Sequence, residues 1–329
     1  MTALVTTVAT IATPATTPFT PVEHFFSIAH QLFDQYRTAI FVLTGTVITA
    51  WLYNKLWVNR KMYPSTQSME GKTVVITGGN AGIGYETAKD LLQRGARVII
   101  ACRNMDKGSQ AIRQLYFETE CEEKNLRLMK CDLCSFESVR NFADLYNSEE
   151  ERLDMLICNA GLIWSQYAVT KDGFNSIIQA NYLGVQSIDW FDVFTQFKNF
   201  HLLGVYASSK VYQILSTNKL KQDLLAEGVN AFSVQPGWVR TSIMSPIREA
   251  IGIYRFIIIY PILHLLAVFT KTPKIGARTT IYCAVEPSLE HSPDLSFQDC
   301  AVARTTSFCT DNKTADHLWQ LSAKAVGLK

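Results

Sequence analysis

Two side chains four positions apart, Tyr206 and Lys210, could carry acid–base chemistry. On a helix, residues at this spacing share a face, so the phenol and the ammonium would be neighbours. A free phenol has a pKa of about 10, and a nearby positive charge lowers it by favouring the phenolate. Such a tyrosine can exchange a proton with a substrate oxygen. The same spacing also occurs by chance on surface helices, so the surrounding elements decide its meaning.

The element that could place a cofactor beside this pair begins at residue 73. Residues 73–77, TVVIT, are typical of a parallel strand buried on both faces. A glycine turn, a helical stretch at 85–93 and a second apolar run at 96–104 follow, which predicts one βαβ unit. Glycines let the backbone approach a pyrophosphate, which sits at the helix N-terminus. The candidate binding residues of the turn are Gly78, Asn80, Gly82, Ile83 and Gly84.

Several segments of the chain together resemble one family. The glycine turn reads Thr77-Gly78-x-x-x-Gly82-Ile83-Gly84, and it is followed in order by Asp132-Leu133, Asn159-Ala160-Gly161, Asn181, Tyr206-x-x-x-Lys210 and Pro236-Gly237-Trp238-Val239-Arg240-Thr241. In these segments the chain resembles the short-chain dehydrogenases/reductases over about residues 70–325. The segments GNAGIGYETAKDL, VIIACRN, CNAG and KTPKIGARTT (271–280) make it most similar to the membrane-bound retinol dehydrogenase branch.

The resemblance implies an α/β fold with a doubly wound parallel sheet of the Rossmann type. It implies that Tyr206 is the proton donor and acceptor, that Lys210 also holds the nicotinamide ribose, and that Asn181 holds a relay water behind the lysine. The alternative for Asn181 is a helix-start residue that bonds only backbone. The implied cofactor contacts beyond the glycine turn are Arg103, Asn104, Asp132, Leu133, Asn159, Ala160, Gly161, Tyr206, Lys210, Pro236, Gly237, Val239 and Thr241.

The residue after the second predicted strand bears on the choice of cofactor. An acidic residue there would accept bonds from a ribose 2′-hydroxyl and favour NAD. Here the segment reads Cys102-Arg103-Asn104, and the planar donor fork of Arg103 suits a 2′-phosphate. We therefore predict NADP(H). The alternative for Arg103 is a solvated strand end without a ligand.

One feature of the family is missing. The family places a substrate-orienting serine at the end of a fifth strand, between the relay asparagine and the tyrosine. Asn181 and Tyr206 are only 25 positions apart, whereas a crossing helix, a strand and their loops need about thirty residues. Only HLLGV (201–205) could be a strand, and the one serine of the interval, Ser187, lies too early. The fifth strand is therefore predicted to be missing or distorted, as in a splice form or a faulty gene model.

Composition excludes several classes of protein. Of the 329 residues, 48% are apolar and 18% are charged, so this is not a disordered polar chain. A net charge of +2 offers no field for nucleic acid. Eight cysteines in a chain of this length do not suggest a secreted disulfide framework. Cys131 and Cys134 have CxxC spacing but no second pair, so we expect reduced thiols and no metal site.

The N-terminal part predicts a membrane anchor. Residues 38–58 are mostly apolar, and twenty helical residues span about 30 Å, the thickness of a bilayer core. Basic residues are more frequent after this stretch than before it, which places the rest of the chain in the cytosol. The alternative is a buried helix of a soluble protein. The predicted organisation is a disordered or lumenal segment (1–37), a transmembrane helix (38–58), a linker (59–70) and a dehydrogenase domain (71–329), held single-pass in the endoplasmic reticulum membrane.

A second apolar stretch, residues 251–269, is interrupted by Arg255, Pro261 and His264, so we interpret it as a substrate lid that touches the membrane interface. The predicted function is NADP(H)-dependent interconversion of a lipophilic alcohol and its aldehyde or ketone, retinol-like by resemblance. Membrane lipid is the second predicted partner, and a homo-oligomer is left open. The alternatives are a catalytically impaired nucleotide-binding protein of the same fold and a reductase for steroids or fatty ketones.

Overall fold

The computed structural model describes residues 21–53, 55–56, 65–163, 168–184, 202–240 and 270–327. The chain divides into two compact units, Met1–Leu52 and Tyr53–Lys329. Helix α1 (Pro21–Tyr53) accounts for the described part of the first unit, and it begins well before the predicted start at residue 38. A proline in the first turn suits a helix start because its missing N–H is not needed there.

The surface of α1 is largely apolar. Its exposed large side chains include Phe25, Phe33, Phe41, Ile48 and Trp51. A helix needs about 20 predominantly apolar residues to cross a bilayer. Within the described residues, no helix reaches the combination of length and apolarity that a membrane crossing requires.

The second unit alternates strands with helices along the chain. Its strands are β1 (Thr73–Thr77), β2 (Arg97–Cys102), β3 (Leu126–Lys130), β4 (Met155–Ile157), β5 (Ser233–Gln235), β6 (Ser296–Gln298) and β7 (Ala301–Val302). Its helices are α2 (Gly82–Gln93), α3 (Met105–Thr119), α4 (Phe136–Glu149), α5 (Ser176–Ile178), α6 (Leu202–Leu224), α7 (Pro273–Val285) and α8 (Asn312–Ala325). Helix α5 continues into a π-helical turn, Gln179–Leu183. Short 3-10 turns lie at Glu123–Asn125, Leu225–Glu227, Pro287–Leu289 and Ser307–Thr310.

Strands β1 to β4 form a parallel sheet in the order β3-β2-β1-β4. Every residue of β1 is buried, as the TVVIT pattern predicted. In the middle row of the sheet, Val75 pairs with Ile99 on one side and with Leu156 on the other. Because the strands are parallel, their carboxyl ends meet at one edge, and the glycine turn and the Asn159 segment both follow these ends.

Helices cover both faces of this sheet. On one face, Val74 and Ile76 join an apolar cluster with residues of α2, α3 and α7. On the other face, Val75 and Ile99 join a cluster with residues of α4. Successive residues of a strand point to opposite faces, so an unbroken apolar run serves both clusters. The α/β class and the doubly wound arrangement are confirmed for this sheet.

The remaining strands form a separate sheet. Strand β5 pairs in parallel with β6, and β6 pairs antiparallel with β7. Within the described residues, β4 pairs only with β1, and no strand occurs between β4 and β5 along the chain. The side chain of Leu156 is 54% exposed at this edge, although Val75 in the same row is buried. Residues 185–201, where a fifth strand would precede α6, lie outside the described residues, so the loss of this strand stays a prediction.

The suggestion that HLLGV (201–205) could form a strand is wrong, because Leu202 already begins helix α6. Val205 is buried in the apolar cluster that surrounds Tyr182, together with Leu215 of the same helix. The burial of these side chains on one face favours the helix over an extended conformation. The predicted lid, 251–269, lies outside the described residues.

Candidate active site

The turn after β1 depends on its glycines. Gly78 has a φ of +67°, and its N–H donates a hydrogen bond of 2.8 Å to the carbonyl oxygen of Ala101 on β2. A Cβ added at Gly84 would lie 2.6 Å from the carbonyl oxygen of Gly78. The obstructing atom belongs to the backbone, so it could not rotate away. Glycine is therefore required here for α2 to start directly at the end of β1.

The glycine turn is bonded to the segment that follows β4. The side-chain amide Nδ2 of Asn159 donates to the carbonyl oxygens of Thr77, at 3.0 Å, and of Gly78, at 3.2 Å. The backbone N–H of Ala160 donates to Oγ1 of Thr77 at 3.1 Å. Two segments that the sequence separates by about eighty residues thus form one rigid corner. Asn159 acts here by supporting the turn.

The start of α2 fits a phosphate group. Its N-cap residue, Ala81, makes no side-chain hydrogen bond to the first helical turn. By contrast, five other described helices have side-chain caps, namely Asn104 for α3, Ser135 for α4, Asn175 for α5, Thr272 for α7 and Asp311 for α8. Uncapped amides at a helix start after a glycine turn are a ready anion site. Asn80, Gly82 and Ile83 lie in this turn, so the residues present fit the pyrophosphate of a dinucleotide.

The corner after β2 carries an exposed cation, Arg103. Burial raises the pKa of the Cys134 thiol to about 11, and the nearby Arg103 guanidinium opposes this rise. Arg103 therefore lies near the turn after β3. There, Oδ1 of Asp132 accepts a 3.0 Å bond from the backbone N–H of Cys134, so this carboxylate holds its own turn.

Two further predicted contacts have structural roles. Oδ1 of Asn104 accepts a 2.9 Å bond from the backbone N–H of Lys107, which caps α3. Leu133 is buried, and a Cβ added at Gly184 would lie 2.8 Å from the Leu133 Cβ. Both residues therefore fix the backbone at their own positions, and their predicted contacts with a cofactor stay predictions.

Asn181 lies in the π-helical turn and is fully buried. Its Oδ1 accepts a 2.6 Å bond from the backbone N–H of Leu162, and its Nδ2 donates to the Leu162 carbonyl oxygen at 2.8 Å and to Oγ of Ser209 at 3.0 Å. The side chain thus joins the segment after β4 to helix α6. Two of these bonds go to backbone and one goes to a side chain, so Asn181 does not bond only backbone as the alternative supposed.

Tyr206 and Lys210 share a face of α6, and the lysine Nζ lies 5.5 Å from the centre of the tyrosine ring. A Cβ added at Gly161 would lie 3.8 Å from this Nζ and 3.3 Å from Oδ1 of Asn181. Lys210 is therefore packed against the Asn159-Ala160-Gly161 segment, which is itself bonded to the glycine turn. The fold brings together all three predicted motifs.

Burial shifts the pKa values of both groups. It lowers the pKa of Lys210 to about 8, because the charged ammonium loses its hydration. It raises the pKa of the Tyr206 phenol, where the sequence had predicted a fall caused by the ammonium. A phenol that stays protonated at neutral pH is suited to donate a proton.

The segment after β5 contains the predicted Pro236-Gly237 turn. Gly237 has a φ of +77°, a conformation that favours glycine. The ammonium of Lys271 donates to the carbonyl oxygen of Pro236 at 3.0 Å and pairs with Asp299 at 2.5 Å. Lys271 is not among the predicted site residues, although it begins the segment KTPKIGARTT that carries part of the resemblance.

Val239 is bridged by backbone to Lys271, and its side chain packs against Gly276, where a Cβ would lie only 2.7 Å from Cγ2 of Val239. This close approach ties the segment after β5 to α7. Thr241, the last of the predicted cofactor contacts, lies outside the described residues.

Ser209 lies three residues after Tyr206 on helix α6. Ser209 is buried, and its Oγ donates to the carbonyl oxygen of Tyr206 at 2.7 Å while accepting from Asn181. Its hydroxyl is therefore engaged within the protein. Ser187 lies outside the described residues.

Comparison with known proteins agrees with this geometry. The family model for short chain dehydrogenases matches residues 72–189. Retinol dehydrogenase 11 of Mus musculus is 35% identical over 80% of this chain and 89% of its own length. Retinol dehydrogenase 12 of Homo sapiens is 32% identical over 79% of this chain and 88% of its own. The WW domain-containing oxidoreductase of Gallus gallus is 33% identical over 79% of this chain and 69% of its own.

Solved structures show the same fold. An uncharacterized protein from Mycobacterium paratuberculosis is 26% identical, with a TM-score of 0.60 over 79% of this chain and 95% of its own. An actinorhodin polyketide ketoreductase, 17% identical with a TM-score of 0.54, covers 71% of this chain and 96% of its own, and supports the fold alone. With the relatives above, these findings show that the chain belongs to the short-chain dehydrogenase family of NAD(P)(H)-binding oxidoreductases and is similar to retinol dehydrogenases.

Proposed function

We propose that this protein interconverts a lipophilic alcohol, such as retinol, and its aldehyde or ketone, using NADP(H). The observation that carries the proposal is the placement of Lys210 against the Asn159-Ala160-Gly161 segment, with Tyr206 on the same helix face. The names of the similar retinol dehydrogenases support the class of substrate. NADP(H), when bound, supplies or accepts the hydride.

In the proposed reduction, the hydroxyl of Tyr206 donates its proton to the substrate oxygen. Burial raises the pKa of this phenol, so the hydroxyl carries a proton to donate at neutral pH. The Lys210 ammonium, 5.5 Å from the ring, stabilises the phenolate that remains after the transfer. Asn181 holds helix α6 against the segment after β4, which keeps these two groups in position.

Arg103 supports the choice of NADP(H) over NAD(H). Its guanidinium is exposed at the end of β2, where the family's dinucleotide presents the adenine ribose. A guanidinium can bind a 2′-phosphate with two parallel bonds. The segment after β2 reads Cys102-Arg103-Asn104, so it holds no carboxylate that would accept a bond from a 2′-hydroxyl.

We further propose that helix α1 attaches the protein to the endoplasmic reticulum membrane, with the second unit in the cytosol. The support is the row of exposed apolar and aromatic side chains along α1. Carbonate extraction of microsomes should leave the full chain in the pellet and release a variant lacking residues 21–53. Asn312 provides a glycosylation sequon at the start of α8. Glycosylation at Asn312 would contradict the proposed orientation.

The decisive test of the reaction is Tyr206→Phe, assayed by oxidation of NADPH with retinal. Removing the hydroxyl should reduce turnover by about 10²–10⁴-fold while the affinity for NADPH is retained. The matched control is Tyr212→Phe, which removes a hydroxyl six residues further along the same helix and should keep turnover within a few-fold.

Two outcomes would contradict the proposal. Equal turnover by the wild type and Tyr206→Phe would exclude the tyrosine as proton donor. Tight NADPH binding by the wild type without reduction of any long-chain aldehyde or ketone would show that the loss of the family's serine has left a nucleotide-binding protein.

A further inference from the structure

Gln213 contacts both Lys210 and the π-helical turn, and it is not among the site residues predicted from the sequence. The Lys210 Nζ donates a 2.9 Å bond to Oε1 of Gln213. The Nε2 of Gln213 donates a 2.6 Å bond to the backbone carbonyl oxygen of Asn181. An ammonium can only donate and a carbonyl can only accept, so these two partners determine the orientation of the amide. The side chain of Gln213 thus spans the gap between the lysine and Asn181.

The position of Gln213 on α6 places its side chain next to Lys210. Residues 206, 210 and 213 are spaced by four and three, so they lie on one face of the helix. The backbone carbonyl of Gln213 accepts a 2.7 Å bond from Oγ1 of Thr217, within the same helix. Since the side chain of Asn181 is already bonded to Leu162 and Ser209, its link to Lys210 runs through its backbone carbonyl and Gln213.

Among the residues that the structure describes, the groups that face Lys210 carry no opposite charge. They are the Tyr206 ring on its own helix, Gly161 on the segment after β4, and the carbonyl of Asn181 reached through Gln213. The ion pair that joins α6 to α8, Lys219 with Asp316, lies more than two helical turns away. Gln213 is therefore the polar group that accepts a hydrogen bond from the buried ammonium.

We propose that Gln213 is a positioning residue that holds the Lys210 ammonium in place and occupies the position assigned to a relay water in the family. The role of Gln213 in catalysis rests on the function proposed above, whereas its hydrogen bond with Lys210 does not. An amide accepts at its oxygen and donates at its nitrogen, but a proton could pass through it only if it changed tautomer. The connection between Lys210 and Asn181 is consequently a fixed support that does not conduct protons.

The contact can be tested without cofactor or turnover. Lysine labelled with ¹³C at Cε reports the protonation of each ammonium by NMR, and Lys210→Met assigns the signal. Gln213→Leu removes the acceptor of the charged form, so the titration of Lys210 should move to lower pH. Gln213→Glu places a carboxylate there, so the titration should move to higher pH by about 1 pH unit or more.

The matched control is Gln222→Leu on the same helix, since Gln222 bonds the exposed Asn312 instead. It should leave the Lys210 titration unchanged. If Gln213→Leu does not fold, Gln213→Asn keeps the amide but is one methylene too short to reach both partners, and it should also lower the titration. An unchanged Lys210 titration in the folded Gln213 variants would overturn the inference.

Kinetics separate this inference from the proposed function. If the reaction needs a charged Lys210, the alkaline limb of the kcat/KM profile should move to lower pH in Gln213→Leu and to higher pH in Gln213→Glu. A uniform loss of activity across pH would indicate a merely structural role and contradict the proposal. Full activity of Tyr206→Phe would refute the proposed function, while the NMR titration would still decide the role of Gln213.

Discussion

Two regions meet at the candidate site, and they are held together by different means. The dinucleotide region, residues 73–163, is held by strand pairing and by backbone close enough that added Cβ atoms would clash. The tyrosine region, residues 168–184 and 202–240, is bonded to it through the side chain of Asn181, which bonds the backbone of Leu162. Ser209 and Gln213 in turn bond Asn181 from helix α6. The first region tolerates few changes of shape, whereas the second depends on individual polar groups.

The boundary between the two regions is visible in one row of the sheet. Ile99 and Val75 are buried, and the next residue of the row, Leu156, is 54% exposed. Within the described sheet, strand β4 pairs with β1 on one side, and the exposure of Leu156 marks β4 as an edge strand. The contrast teaches that the sheet of the dinucleotide region is packed at its centre, whereas its β4 edge is uncovered within the described residues.

The largest expected effect is a difference in the free energy of unfolding between substitutions at a buried position of this row and at its exposed end. Ile99→Ala should lower the free energy of unfolding by about 2–5 kcal/mol, because it leaves a cavity between packed elements. Leu156→Ala, at the exposed end, should cost less than about 1 kcal/mol. Urea denaturation followed by circular dichroism measures both. Equal costs would show that the edge of β4 is covered in solution, and the contrast between the regions would fail.

A smaller effect is expected from Gly84→Ala in the glycine turn. The new Cβ would meet the Gly78 carbonyl oxygen at 2.6 Å. Displacing the turn should destabilise its binding conformation by about 1–3 kcal/mol. This would weaken NADPH binding about 5- to 100-fold. Fluorescence titration measures this change. Gly45→Ala in α1, where nothing lies within 4 Å of the added Cβ, is the control and should bind NADPH normally. Normal binding by Gly84→Ala would indicate that the turn is not as rigid as its packing suggests.

Arg103→Ala should have a still smaller effect, confined to one cofactor. Loss of the guanidinium should weaken NADPH binding about tenfold, or about 1.4 kcal/mol, and leave NADH binding almost unchanged. Because Arg103 is exposed, added salt should reduce the difference between wild type and variant. The comparison of NADPH and NADH in the same titration is its own control, and equal losses for both cofactors would exclude a role in recognising the 2′-phosphate.

The smallest effect concerns the opposite end of the sheet. Arg97 binds Glu150 with two bonds, of 2.7 and 2.6 Å, and these hold the pKa of the Glu150 carboxyl below its usual 4.5. The folded state therefore favours the carboxylate. This stabilisation is present above about pH 4.5 and is lost as the pH falls through the lower pKa of the folded state.

Glu150→Gln should accordingly lower the free energy of unfolding by about 1 kcal/mol at pH 7, and the difference from wild type should shrink in acid. The exposed Glu151→Gln is the control and should show no such dependence on pH. If the unfolding free energy of Glu150→Gln stays below that of wild type by a constant amount from pH 7 to pH 3, the ion pair is excluded as the cause of the difference.

Much of the dinucleotide region could be predicted from the sequence because its signals are local. The run TVVIT, the glycines of the turn and the second apolar run follow one another within about thirty residues, and each is required by the backbone at its own position. The boundaries were less accurate, since α2 begins at Gly82 and β2 ends at Cys102. The shortened interval before Tyr206 predicts the loss of the fifth strand, and this stays a prediction because residues 185–201 lie outside the described residues.

The tyrosine region was predictable only in part. The spacing of Tyr206 and Lys210 placed both on one helix face, but it could not show that Gln213 completes that face. The assignment of 201–205 as a strand failed because a short apolar run has no period that distinguishes strand from helix. The direction of the Tyr206 pKa also differed, since burial depends on neighbours that the local sequence does not reveal.

The sequence by itself determined the doubly wound fold, the glycine turn and the residue types that could exchange a proton, because these depend on backbone conformation and on spacing within single elements. The tertiary structure alone decided which groups support Lys210. The bond from Gln213 to the carbonyl of Asn181 joins positions 32 residues apart. Contacts at that separation arise only when helix α6 packs against the π-helical turn, and no local pattern encodes which side chains then meet.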